Sequence, residues 1–269
     1  SAYLPNDHPD FPWVGVLLGL GFVLSPAYWC GGQAILQRTL GARSEWDAKA
    51  SMMFAAFGKT LVPLLIVFPG LLALVMMAPI EEADMALPWV VKEMLPPGLS
   101  GLMFIAIIAA LQTSLDSGLN SAALMITRDI RGVLFPHRDE RKDLLVGRIA
   151  TFVILILGMI AAPWISALGG IFLAVQLLLS LFQGPTLALL LAGVATRWAT
   201  PAAGLVTLSL GVPLAGLLIY LGFNMLYVAF STFIFSLGTL ALVSARTQGL
   251  EDALLDRLTF GGRREAQHA

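Results

Sequence analysis

Seven apolar runs, each about long enough to cross a bilayer, dictate what this chain can fold into. They lie near 11–35, 51–78, 100–126, 144–165, 168–194, 201–221 and 225–244. A hydrocarbon core of about 30 Å takes roughly 20 helical residues to span, and it offers a backbone amide no water, so each run is expected as a helix. Hydrophobic residues make up 58% of the chain and charged ones only 12%, against about a quarter in soluble domains. The expectation is an all-α integral membrane protein with about seven transmembrane helices, the membrane region covering 1–244 and a charged tail 245–269.

The sixteen Lys and Arg are unevenly placed. Arg38, Arg43 and Lys49, then Arg128 to Arg148, then Arg197, then Arg246, Arg257, Arg263 and Arg264 fall in alternate connections, whereas the intervening loops hold Lys92 alone. The positive-inside rule then puts the N-terminus outside and the tail in the cytoplasm of a cell-membrane protein. The acidic loop around Glu81, Glu82 and Asp84 is external on this reading. The tail, GLEDALLDRLTFGGRREAQHA, reads as a short amphipathic helix beyond the bilayer. The net charge of −1 gives no sign of nucleic acid as a partner. Cys30, the single cysteine, excludes a disulfide within the chain and any Cys-based metal cluster. The first residues carry neither a basic segment nor a cleavage site, and the chain reads like the later part of a longer protein.

Within the first span, Pro26 lacks a backbone donor and Gly31 with Gly32 loosens the next turn, so a break is expected between Leu24 and Gln33. Discontinuous helices of this kind form the midplane sites of many secondary transporters; a Pro kink between packed helices is the alternative. Lys59 lies inside the second apolar run. An ammonium there needs a cavity or partner, or else snorkels towards the side of Lys49, about 15 Å away at helical rise. PWVVKEMLPPGLSG reads as a short surface helix ending at Pro96, Pro97 and Gly98. The fifth run carries Gln176 and Gln183.

AALQTSLDSGLNSAA, residues 109–123, is the most polar stretch inside a span. At about 100° per residue, Gln112, Thr113, Ser114, Asp116, Ser117, Asn120 and Ser121 fill one arc of roughly 200°, with Leu111, Leu115, Gly118, Leu119 and Ala122 opposite. Hydroxyls and a carbonyl near Ala110 offer the hard, neutral oxygens that bind a monovalent cation weakly and reversibly. Ser and Thr also serve simple helix packing in membranes. Asp116 weighs towards a cation or substrate pathway, because a carboxylate at membrane depth needs a cation, a proton or donors.

Several ordered blocks resemble the solute:sodium symporter family. AYWCGGQAILQRTLGAR is similar to the aromatic pair, Gln and Gln-Arg of its sixth core helix, and AAFGKTLVPLLIVFPG to its seventh. LPPGLSGLMFIAIIAALQTSLDSGLNSAALMITRDI resembles the eighth, with an Asn-Ser pair and a later Asp-Ile, and GRIA at 147–150 the start of the ninth. The resemblance covers about 1–200. It implies the second half of a LeuT-type inverted-repeat transporter plus two extra helices. It also implies a half-site for sodium at Ala110, Thr113 and Ser114, Thr replacing the family's first Ser. Asp116 and Ser117 are a further cation or proton site by conjecture. The resemblance assigns the solute site and gate to Ser25, Tyr28, Lys59 and Gln176. Leu177 and Leu178 stand where sugar transporters have polar residues, so a carboxylate, an amino acid or another small polar solute is expected as readily as a sugar.

The function so implied is sodium-coupled symport of a small polar solute by alternating access, with Na⁺ as coupling ion and no cofactor. Its partners are the solute, Na⁺, the lipid bilayer, and a first repeat supplied by the same protein or by a second chain. A transporter-like sensor or scaffold is the alternative. An enzyme is not expected, since no Ser/His/Asp or metal-ligand constellation lies within the spans.

Overall fold

The computed structural model describes residues 5–76, 79–80, 83–135, 139–165 and 170–247, with 249, 252, 255 and 259. All regular structure among them is helical. The helices are α1 (Trp13–Gly31), α2 (Gln33–Leu40), α3 (Glu45–Val75), α4 (Ala86–Met94), α5 (Pro97–Leu134), α6 (Glu140–Ile165), α7 (Ile171–Ala195), α8 (Pro201–Tyr220) and α9 (Met225–Ser244). All but α2 and α4 are long and apolar enough to cross a membrane, which makes seven candidate spans. The expected surface helix is α4, stopped by an extended Leu95 before Pro96 and Pro97. Glu81, Glu82 and most of the expected tail helix lie outside the described residues.

The break expected between Leu24 and Gln33 narrows to one residue. Helix α1 is π-wound over Val16–Leu24 and returns to α winding over Ser25–Gly31, with Pro26 in its first turn. The Ser25 N–H bonds the Leu20 carbonyl, five residues back. Pro26 is thereby absorbed, since a proline in the first turn of a newly registered helix lacks only an N–H that would have no partner. The chain leaves the helix at Gly32, which is extended (φ −70°, ψ 111°).

The chain divides into two compact units, one of Ser1–Gly32 with Phe172–Ala269 and one of Gln33–Ile171. In the first, Val23, Leu24 and Ala27 of α1 form a core with Leu187 and Ala188 of α7 and Met225, Leu226, Ala229 and Phe233 of α9. Small residues permit this closeness, as is usual between helices in membranes, where packing rather than water exclusion drives association. A methyl at Gly19 would overlap the Leu226 backbone, and one at Gly184 the Thr232 hydroxyl and Ala229 carbonyl. Asn224 caps α9 by accepting the Leu226 N–H at 2.9 Å. Its amide also donates to the Pro9 and Asp10 carbonyls at 2.7 and 3.0 Å, which ties the segment before α1 to this helix end. Gly222, left-handed at φ 84°, ends α8.

In the second unit α5 packs on α6, while α2 touches both α3 and α5. The Arg131 guanidinium pairs with Asp143, linking the end of α5 to the first turns of α6. Asp139 caps α6, accepting the Arg141 and Lys142 N–H groups at 3.1 and 3.4 Å. The Lys142 N–H above all, aided by the Lys142 ammonium, holds the Asp139 carboxyl below its usual range. The apolar stretches of α5 and α6 bury little within the structure, Ala150 being the buried residue of α6. Such faces need lipid or further protein to cover them.

Candidate functional site

The polar arc of α5 keeps the pattern read from its sequence and resolves into two levels. At the upper level, the Thr113 and Ser114 hydroxyls both donate to the Ala110 carbonyl, at 2.9 and 3.1 Å. Three uncharged oxygens thus gather on one turn, and Thr113 and Ser114 are exposed. Each hydroxyl has two lone pairs besides its proton, so by turning that proton aside it can present oxygen to a cation. The back-bond to a carbonyl three or four residues earlier is common for Ser and Thr in helices; what is less ordinary is two adjacent hydroxyls converging on one carbonyl. Asp116 is also exposed.

At the lower level the arc is covered. Ser117 Oγ donates to the Thr113 carbonyl at 2.9 Å, and Ser121 Oγ to the Ser117 carbonyl at 2.7 Å. Onto these two hydroxyls α2 places its own polar pair. The Arg38 guanidinium donates to Ser117 Oγ, and Gln37 Nε2 donates to Ser121 Oγ at 3.0 Å. Ser121 is nearly buried, at 6% exposure. A continuous path of hydrogen bonds therefore runs from Arg38 through Ser117 to the Thr113 carbonyl, on the turn that carries the three clustered oxygens.

The remaining candidates are divided between the two units. Lys59 belongs with Ala110, Thr113, Ser114, Asp116 and Ser117 in Gln33–Ile171, while Ser25, Tyr28 and Gln176 belong to the other unit. Ser25 and Tyr28, three residues apart and so on one helix face, follow the π-wound segment; both are exposed. The Tyr28 ring meets Trp29 edge-on, with centroids 6.2 Å apart. Gln176 is only 6% exposed on α7, whose Leu173 and Leu177 pack on the core that Leu24 and Ala27 share. Lys59 is exposed on α3, four residues before Pro63.

Sequence reasoning gave Gln37 and Arg38 no role of their own. The available signal was the match of two polar residues on α2 to two hydroxyls one turn apart on α5, but the pairs stand 84 and 79 residues apart along the chain.

Comparison with known proteins bears on the same blocks. The chain is 32% identical over 272 residues to the sodium/glucose cotransporter of Vibrio parahaemolyticus, covering 93% of this chain and 50% of that protein. It is 35% identical over 195 residues to the sodium/myo-inositol cotransporter 2 of Mus musculus, covering 65% of this chain and 29% of the relative. With the sodium/mannose cotransporter of Bos taurus it shares 34% identity over 210 residues, 70% of this chain and 34% of the other. The chain thus spans half or less of the length of these relatives. The sequence model of the sodium:solute symporter family matches residues 5–211, a stretch that holds α1 with its winding change, the polar arc of α5 and Gln176, and the chain belongs to that family.

Proposed function

We propose that this chain forms part of a sodium-coupled symporter that carries a small polyhydroxylated solute by alternating access. The observation that carries the reading is the family match over residues 5–211. The relatives, named for glucose, myo-inositol and mannose, turn the open choice of small polar solute towards a sugar or polyol. They also favour transport over a sensor or an enzyme. On this reading the chain is the second half of a LeuT-type inverted-repeat fold with two added helices. Its transporter region is 1–244 and its tail 245–269, the N-terminus lying outside and the tail in the cytoplasm. The family's first repeat, from the same polypeptide or from a second chain, completes the sites.

Ala110, Thr113 and Ser114 supply one side of a sodium site, a role supported by their three converging oxygens. Neutral donors suit a coupling ion because they hold it weakly enough for release. Asp116 and Ser117 offer a further cation or proton site beside it. Ser25, Tyr28, Lys59 and Gln176 contribute to the solute site and gate, and Na⁺ is the coupling ion without a cofactor. Bound sodium favours the form with high solute affinity, and by linkage the solute raises sodium affinity equally. Each sodium ion moving down a membrane potential contributes about 2.3 kcal/mol per 100 mV.

The test is uptake of labelled glucose, myo-inositol and mannose by the whole protein in sealed proteoliposomes. A sodium gradient should drive accumulation of at least one of them. Equal uptake with a potassium gradient of the same size would exclude sodium coupling.

A further inference from the structure

Where α5 and α6 leave the apolar part of their sequences, they flank an open cavity of about 460 Å³, within the usual range of ligand sites. Asn120, Thr127 and Arg128 line it from α5, and Glu140, Asp143 and Arg148 from α6. Gly147 of α6 faces Thr127 of α5, where a methyl would meet Thr127 Oγ1 at an ordinary contact of 3.5 Å. Of the two carboxylates, Asp143 is committed to Arg131. Arg128, Arg148 and Glu140 make no ion pair among the described residues. Among the described residues, the cavity therefore offers two guanidinium groups and one carboxylate to whatever fills it. Leu124 and Leu144 add apolar wall, and on the same face of α6, at four-residue steps beyond Thr151, Leu155 and Met159 are exposed towards the apolar centre of the span.

This is an arrangement for a zwitterion with an apolar tail. Guanidinium groups match phosphate oxygens in paired hydrogen bonds, and basic pockets between transmembrane helices at the membrane surface bind lipid headgroups. A purely anionic headgroup would leave Glu140 facing it without a cation. A quaternary ammonium has no N–H to give that carboxylate. We propose that the cavity binds the phosphoethanolamine headgroup of a membrane phospholipid, with Arg128 and Arg148 on its phosphate and Glu140 on its ammonium, while an acyl chain runs along α6. The site begins at Asn120, on the same arc of α5 but about two turns beyond Thr113, and its test does not depend on the transport reading.

Native mass spectrometry of the whole protein, purified in detergent and supplied with phosphatidylethanolamine, phosphatidylcholine or phosphatidylglycerol of identical acyl chains, tests it. Phosphatidylethanolamine should be retained over the other two. The double variant Arg128→Gln, Arg148→Gln should retain about tenfold less, as expected for the loss of charge-assisted hydrogen bonds. Glu140→Gln should keep phospholipid but lose the preference for ethanolamine over choline, a change of selectivity that misfolding would not produce. Equal retention of the three lipids by the unaltered protein, or unchanged selectivity in Glu140→Gln, would overturn the proposal. Binding of soluble glycerophosphoethanolamine as tight as that of the lipid would overturn the membrane as the ligand's source.

Discussion

The Ala110 carbonyl is the centre of the proposed sodium site, because two neighbouring hydroxyls turn to it. Removing either hydroxyl deletes one neutral oxygen of the proposed sodium site and leaves the backbone untouched. Thr113→Ala and Ser114→Ala should each raise the sodium concentration for half-maximal uptake by about tenfold, the factor that corresponds to roughly 1.4 kcal/mol, and a sodium titration of transport measures it. Thr113→Ser, which keeps the oxygen, should stay close to the unaltered value. Two turns further along α5, Ser121→Ala removes the hydroxyl that accepts from Gln37 at a nearly buried position. It should lower thermal stability by about 1 kcal/mol with little effect on sodium affinity. A fall in sodium affinity as large as that of Thr113→Ala would show that the covered end of the arc is itself a ligand.

Among the elements, legibility in sequence followed the range of the forces involved. The spans were readable because bilayer thickness fixes the length of an apolar run whatever packs around it, and seven helices meet that criterion. The polar arc was readable because it needs only helical periodicity. The form of the first span was less so: Pro26 was expected within a broken stretch, but π winding upstream restarts the hydrogen-bond register and absorbs it. Local residue preferences do not reveal a five-residue register. The covering of Ser117 and Ser121 by Arg38 and Gln37 was invisible because it depends on tertiary placement. Packing between elements gives its own prediction. Gly184→Val drives a branched side chain into Thr232 and Ala229 of α9 and should cost about 1–3 kcal/mol, seen as a lower melting temperature in detergent. At the start of α6, the Asp139 carboxyl is held below its ordinary value of 3.8. Its contribution to the helix end is complete above that value and is lost as pH falls through the lower folded one. Asp139→Asn should abolish this acid sensitivity, as read by proteolysis of the α5–α6 connection across a pH series.

At the scale of the whole molecule, two observations meet: membership of a family of sodium-coupled carriers, and spans whose polar and apolar faces are left uncovered. Uncovered Leu and Phe suit lipid, but exposed Thr113, Ser114 and Asp116 at membrane depth require protein or a water-filled path. A transporter in which this arc faces the transport pathway satisfies both demands. The solute remains a separate matter from the ion, because Ser25, Tyr28 and Gln176 sit in one compact unit and the sodium candidates in the other. The direct measurement is sodium-driven uptake of labelled glucose, myo-inositol and mannose by the whole protein carrying Thr113→Ala together with Ser114→Ala. Stimulation by a sodium gradient should be lost while the folded protein is still recovered from the membrane. Stimulation equal to that of the unaltered protein would contradict the assignment of these two hydroxyls to the sodium site.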